Sequence, residues 1–257
     1  MPHSTHPIVI CILLLIGMIV MVLLGRGAGQ AWNKGGNEPK GGVNSLLAAL
    51  FALSGLILAF AFGMSETHLE RVRDVIENEA NAISTAISRA DLYPDSVRQT
   101  LRIDFKKYLE AVIDFYENKS LEGKYKAVEQ ASKAGDDLWS IVTQKSKLPN
   151  MFLPSTQMTP ALNSMFDAAQ SRAIVLKSGV PFLIGITLFI CLLATCFVAG
   201  FTSAAFHKKE WIIIFGFVLV ATIVVYTTID LARPLQGLIG VEAGKKAIVD
   251  LREMFQE

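Results

Sequence analysis

The chain carries almost no surplus of charge, with 24 lysines and arginines against 23 aspartates and glutamates. Such a balance offers no polycationic surface, so the electrostatic attraction that carries nucleic-acid affinity is missing and no nucleic-acid partner is expected. Cysteine is scarce as well. Cys11, Cys191 and Cys196 all fall inside apolar runs, where a thiol behaves as a small hydrophobe and implies no disulfide framework. The four histidines, His3, His6, His68 and His207, are too dispersed for a metal cluster, and HExxH, CxxC and nucleophile-elbow patterns are lacking. The glycine-rich GRGAGQ and KGG segments are not phosphate loops, because no strand precedes them and no GK[ST] follows. No enzyme activity, cofactor or metal is expected.

What the chain does contain is apolar sequence in bulk. Four runs, Ile8 to Gly25, Leu46 to Met64, Pro181 to Phe201 and Trp211 to Ile229, are each about long enough to cross a ~30 Å hydrocarbon layer as helix. The expected fold is an all-α polytopic membrane protein. Its order is transmembrane helix 8–25, a Gly-rich linker 26–45, transmembrane helix 46–64, a helical domain 65–178, transmembrane helix 181–201, a short loop 202–210, transmembrane helix 211–229 and a tail 230–257. An even number of spans puts both termini and the helical domain on one face. Basic residues near the span ends on that face are Arg71, Arg73, Arg172, Lys177, Arg233, Lys245 and Lys246, against Arg26, Lys34, Lys40, Lys208 and Lys209 on the other. The positive-inside rule therefore places the helical domain and termini in the cytoplasm and the two connections outside it. Met1 to Pro7 has no Lys or Arg, so the first run is read as a span and not as a cleaved signal.

Beyond Met64, neither Gly nor Pro intervenes before Pro94, and Leu69, Val72, Ile76, Ala80, Ile83, Ile87 and Ala90 recur at helical spacing. The second span is expected to continue as one rod, with Arg73 and Glu77 at i,i+4 pairing on its polar side. Asp95 or Ser96 is expected to cap a second helix burying Val97, Leu101, Phe105, Tyr108, Val112 and Phe115. A third helix, Leu121 to Gln144, should turn Tyr125, Val128, Leu138 and Val142 inward. Pro149, Pro154 and Pro160 mark a non-helical stretch, with Thr159 as N-cap and Pro160 in the first turn of a fourth helix. That helix carries Leu162, Met165, Phe166, Ala169, Ala173 and Leu176 and meets the third span at a kink over Gly179 to Pro181.

Charges at the span ends are few. Glu66 and His68 follow the second span and Asp230 and Arg233 follow the fourth; each reads either as an interfacial anchor or local ion pair, or as the mouth of an ion pathway. Within the spans only weak polar groups occur, Ser54, Thr187, Thr195, Thr222, Thr227 and Thr228, so a pore would have a largely apolar wall. Small residues crowd the second span, at Ala48, Ala49, Ala52, Ser54, Gly55, Ala59, Ala61 and Gly63, and the third, at Gly185, Ala194, Ala199 and Gly200, permitting close helix contact within a chain or between copies. Four helices alone leave little room for water. Conduction would need a homo-oligomer, for which a ring is the natural closed form.

Three stretches carry a resemblance: Glu77 to Ile83 with Arg89 to Pro94, Ala199-Gly200-Phe201, and Ile229 to Ile239. They are similar to a bacterial "bestrophin-like" family of membrane proteins of unknown function. Asp230 fits the acidic position of the last motif, while Gly240-Val241-Glu242 departs from the segment usual after it. The resemblance implies the layout of the bestrophins, pentameric anion channels with two spans, cytoplasmic helices and two more spans. Within the first motif, Glu79 and Asn81 lie on the extension of the second span, where a carboxylate in a seam would bridge structurally or bind a cation, with Arg89 and Asp91 in the same network. The expected function is a homo-oligomeric ion channel of the bacterial cytoplasmic membrane, its partners lipid and inorganic ions. Anions are implied by the resemblance and cations by Glu66, Glu79 and Asp230; the alternative is a non-conducting scaffold or sensor whose helical domain binds a protein.

Overall fold

The computed structural model describes residues 7–34, 42–203 and 209–256, and among these it is helical with no strand. The elements are α1 (Pro7–Lys34), α2 (Gly42–Arg89), α3 (Asp95–Glu117), α4 (Leu121–Lys145), α5 (Phe152–Lys177), α6 (Phe182–Thr202), α7 (Lys209–Leu231) and α8 (Glu242–Asp250), with short 3-10 turns at Ala90–Leu92, Pro149–Met151 and Leu251–Phe255. Four of the helical segments are long and apolar enough to cross a membrane. The chain divides into two compact units, Met1–Leu69 with Gly179–Ile239, and Glu70–Ser178 with Gly240–Glu257.

In the first unit α1 packs on α6 and α7, burying Met18, Val22, Leu188, Leu192, Cys196 and Val218. Lipid tails are as apolar as these side chains, so the contact is held by close packing and not by expulsion of water. Two glycines make the closest approach possible: a Cβ on Gly25 would overlap the carbonyl oxygen of Phe197, and one on Gly200 that of Val22. The linker expected over 26–45 is helical at both ends. α1 runs on to Lys34 and α2 opens at Gly42, leaving residues 35–41 outside the description. Glycine costs a helix up to about 1 kcal/mol per residue, but here the extension is docked, with Arg26 over the Trp211 ring and Trp32 edge-on to Phe201. The loop expected at 202–210 is helical at its edges, and residues 204–208 lie outside the description, as do His3, His6 and His207.

All seven apolar positions read from Leu69 to Ala90 are buried, Leu69 in the first unit and the other six in the second, the last of them in the turn that follows α2. The 3.6-residue period left no other face for them. α3 and α4 pack together, joined by Asn118 to Ser120, and Ser120 caps α4 by accepting from Gly123 N at 3.0 Å. Gly135 marks where α5 comes close, since a Cβ there would sit 2.9 Å from Phe166. Several expectations need correction. α3 begins after Pro94 without a side-chain cap, and Asp95 pairs instead with Arg98 at 2.6 Å. Arg73 donates to the Gly240 carbonyl and forms no pair with Glu77. Tyr125 and Val128 are exposed; the inner face of α4 is made of Ala127, Ala134, Gly135, Leu138 and Val142. Ala127, Ala134 and Gly135 leave room for the neighbouring helices, while Tyr125 and Val128 are turned out.

The prolines mislead most. α5 starts at Phe152 and contains both Pro154 and Pro160. Pro154 sits in the first turn, where its missing N–H has no partner in any helix. Pro160 forfeits one backbone bond, ordinarily about 3 kcal/mol, and is held there by the buried Met158, Ala161, Leu162 and Met165 around it. Thr159 does not cap; its hydroxyl donates back to Ser155 O at 2.8 Å. The helix stops at Lys177, and Gly179 to Pro181 separates α5 from α6 where a kink was expected. Residues of the expected tail are folded as well: Gly244 of α8 lies against Ile76, Arg252 forks onto Glu110 at 2.9 and 2.6 Å, and Arg102 donates to Met254 O at 3.0 Å.

Candidate functional site

Three arrangements gather the polar residues singled out in the sequence. The first is buried in the helical unit. Glu79 follows Ile76 by three residues and precedes Ile83 by four, so helical geometry puts its carboxylate in the apolar seam, where it is 0 % exposed. Arg172 of α5 approaches Oε2 at 3.4 Å, and Tyr116 of α3 donates to the same oxygen at 3.1 Å. The guanidinium lies over the rings of Phe115 and Tyr116, at 4.4 and 5.5 Å, which adds cation–π attraction in a low dielectric. Burial pushes the Glu79 carboxyl up, against the pull of Arg172 and the Tyr116 hydroxyl. The Tyr108 and Tyr116 hydroxyls are driven upward by burial and by the Glu79 charge, so both stay protonated. Oε1 of Glu79 has no hydrogen-bond partner among the described residues. The site bridges α2, α3 and α5.

Arg89 and Asp91 do not join it. Arg89 donates to Gln157 O, and Asp91 pairs with Arg102 at 3.3 Å. Asn81 is exposed. Arg172 and Tyr116 were not singled out as partners of Glu79, although a signal existed: Arg172 stands seven residues after the buried Met165, in line with the apolar stripe of α5. A cation at such a position needs a buried anion.

The second arrangement is at the end of α7. Asp230, 4 % exposed, accepts from Leu238 N at Oδ1 and from Ile239 N at Oδ2, both at 3.0 Å. Its backbone carbonyl takes Arg233 N at 3.0 Å, and a Cβ on Gly237 would sit 2.6 Å from that oxygen. The Asp-Leu-Ala-Arg-Pro-Leu-Gln-Gly segment is thus a turn wound around one carboxylate, and glycine is needed where the chain passes closest. Both oxygens are spent on the backbone.

The third arrangement is a face of α2. Within the first unit, Ala48, Ala52, Gly55, Ala59, Gly63 and Glu66 follow one another at steps of three and four and form one row. All are exposed except the half-buried Gly63, and a Cβ at Gly55 or Gly63 would meet nothing within 4 Å. Leu46, Leu53, Leu56 and Phe60 are exposed on a different side, and the membrane part of α2 is the least covered of the four spans. Its third side is held by Ser54, whose hydroxyl meets Thr195 at 2.8 Å and the Cys191 sulfur at 3.3 Å. The other span threonines, Thr187, Thr222, Thr227 and Thr228, each donate to the carbonyl four residues back. In the second unit Glu70, Glu77 and Asn81 of α2 are exposed. Among the described residues no three metal-ligating side chains converge.

A family model described as "Bestrophin-like domain" matches residues 11–244. No curated protein matches the chain. In fold, it is similar to crystal structures of a bacterial bestrophin homologue from Klebsiella pneumoniae. One, solved by zinc phasing, is 12% identical with a TM-score of 0.68 and covers 94% of this chain and 98% of that one. A mutant of it is 11% identical with a TM-score of 0.69, covering 97% and 99%.

Proposed function

Since the chain belongs to the bestrophin-like family, we propose that it is a homo-oligomeric ion channel of a bacterial cytoplasmic membrane, with α2 of each copy lining a shared axis. One observation carries this reading: the small-residue row of α2, exposed in a single chain but for the half-buried Gly63, with open space at Gly55 and Gly63, which ends at Glu66. Large exposed residues such as Leu53 and Phe60 suit acyl chains, whereas a bare row of Ala and Gly suits the close approach of copies or an apolar water-filled wall. Of the candidate mouth residues, Glu66 ends the row, and Asn81 is exposed in the second unit; Glu79 and Asp230, both buried and engaged, act as struts. The helical unit and termini are assigned to the cytoplasm by the distribution of Lys and Arg, and five copies are favoured by the bestrophin likeness. That likeness suggests anions, while the Glu66 carboxylate at the end of the row favours cations.

The test is single-channel current from purified protein in liposomes, with reversal potentials under a KCl gradient. Expected are selective currents, a smaller unitary conductance for Gly55→Leu at unchanged oligomeric mass, and a shifted reversal potential for Glu66→Gln. The sign of the wild-type potential names the ion class. A second reading, a non-conducting scaffold or sensor, rests on the exposed apolar residues Leu121, Tyr125 and Val128 along α4, a face suited to another protein. Silence across voltage, pH and calcium in folded, oligomeric protein would favour it.

A further inference from the structure

The membrane part of α2 meets the rest of the first unit along one face. Phe51, Ser54, Leu58, Ala61 and Ser65 follow one another at alternating steps of three and four. Ser54, Ala61 and Ser65 are buried, Leu58 packs on the core built by α1, α6 and α7, and Phe51 stands edge-on to Phe217 at 4.6 Å. Ala52, Gly55, Ala59 and Glu66 of the small row each follow one of these residues by a single position, so the two faces stand ~100° apart about the helix axis. Lipid is as apolar as Phe51, Leu58 or Ala61, and contacts of those side chains hardly favour one rotation of α2 over a neighbouring one. A hydrogen bond is directional and does.

A cluster of hydroxyls crosses this seam. Ser54 is 1% exposed and Thr195 is 0% exposed. Thr195 donates to the Cys191 carbonyl of its own helix at 2.8 Å and lies 3.4 Å from the Leu50 carbonyl of α2. Its hydrogen being engaged there, Ser54 is left to donate to the Thr195 oxygen at 2.8 Å. Thr187, Thr222, Thr227 and Thr228 all bond back along their own helices, as Ser65 does to the Ala61 carbonyl at 2.9 Å; Ser54 turns across to another. We propose that the Ser54–Thr195 pair is the positioning contact that sets the rotation of the membrane part of α2 about its own axis, and with it which face of α2 is left for a second copy. Its meaning for conduction rests on the channel reading; the orientation itself does not.

Power-saturation EPR of the full chain in liposomes tests it, with a spin-labelled cysteine placed in turn at Ala52, Leu53, Gly55, Leu56, Ala59 and Phe60, all exposed, while the native Cys11, Cys191 and Cys196 are buried. Ser54→Ala leaves Thr195 bonded to the Cys191 carbonyl, and Thr195→Val leaves Ser54 able to bond back to Leu50, so neither strands a buried polar group and both should fold. Each should shift the population of α2 orientations about threefold, the mean worth of a hydrogen bond between spans. Oxygen exposure should then fall at one edge of the exposed arc, Gly55 or Leu53, and rise at the other. Thr195→Ser, which keeps the hydroxyl, should retain the wild-type pattern, and the double variant should move it no further than either single one. A pattern unchanged in Ser54→Ala and Thr195→Val would overturn the proposal, as would an equal change in Thr195→Ser. A water-soluble nickel complex keeps the channel reading separate: labels at Ala52, Gly55 and Ala59 that it never reaches in wild type would tell against a shared aqueous path, while the oxygen pattern still decides the clasp.

Discussion

Glu79 and Arg172 illustrate how one buried pair fixes three helices. Desolvating two charges costs several kcal/mol each, and their attraction repays it only while both are present. Glu79→Gln is therefore expected to destabilise the helical unit by about 3–5 kcal/mol, because it leaves a buried cation unmatched. The double variant Glu79→Leu with Arg172→Met should recover most of that loss, which denaturant unfolding of the detergent-solubilised protein would measure. If the single and double variants were equally unstable, the pair would not be the unit of stability. Asp230→Ala is expected to cost about 2 kcal/mol or more through its two backbone bonds and to raise hydrogen exchange at Leu238 and Ile239 selectively. Glu79 was legible as a carboxylate in an apolar row, yet its partners were not. Helical spacing says which face a residue occupies but not which other helix meets that face, and Arg172 and Glu79 are 93 positions apart in sequence. Asp230 was legible as a charge near a span end and as the acidic position of the last motif, but neither reading announced that the chain winds back onto it.

Among the elements, the spans and the seven-position stripe of α2 could be read from periodicity alone, because each residue's burial there follows from its own helix. The prolines of α5 could not. A helix breaker is read locally, and the packing of Met158, Leu162 and Met165 that tolerates Pro160 is tertiary. The crossing of α1 and α6 was half legible: Gly200 stood among the small residues of the third span, but Gly25 was read only as the end of the first. Gly25→Ala and Gly200→Ala should each push backbone from backbone and cost at least about 1–3 kcal/mol, seen as a lowered Tm and loss of monodisperse protein. Gly27→Ala, with nothing within 4 Å of its Cβ, should be neutral or stabilising. At the other end of the chain, the Arg252 fork holds the Glu110 carboxyl below the usual carboxylate range. A depressed value means the contribution is complete above the unfolded pKa of about 4.3 and is lost as pH falls through the folded one. Protection factors across residues 242–256, taken relative to the intrinsic exchange rate at each pH, should fall on acidification in wild type, and in Glu110→Gln should already be low at neutral pH.

For the whole molecule, the layout of four spans with a helical insert was legible because hydrocarbon thickness sets span length and charge excludes the insert from lipid. The partner surfaces were less so. Exposure of Tyr125 and Val128 shows that an apolar row can be an outer face as readily as an inner one, and no sequence period tells the two apart. The small row of α2 has the same ambiguity, and mass measurement resolves it: if α2 lines an axis, Ala52→Trp with Gly55→Trp should change the oligomeric mass or abolish flux, while a monomer of unchanged mass and fold would remove the basis for a shared path.

The contact between Gly25 and Phe197 has a consequence in time. These residues lie 172 positions apart, and at a synthesis rate of about 5–20 residues per second the first helix waits roughly 10–35 s in the bilayer before its mate has been translated. Throughout that interval its notched glycine face has no companion. A ribosome that stalls inside the helical insert therefore leaves an orphan span bearing a recognisable groove, and the same notch that later lets two backbones meet becomes, in the interval, the handle by which insertion chaperones or membrane proteases can tell an unfinished chain from a finished one.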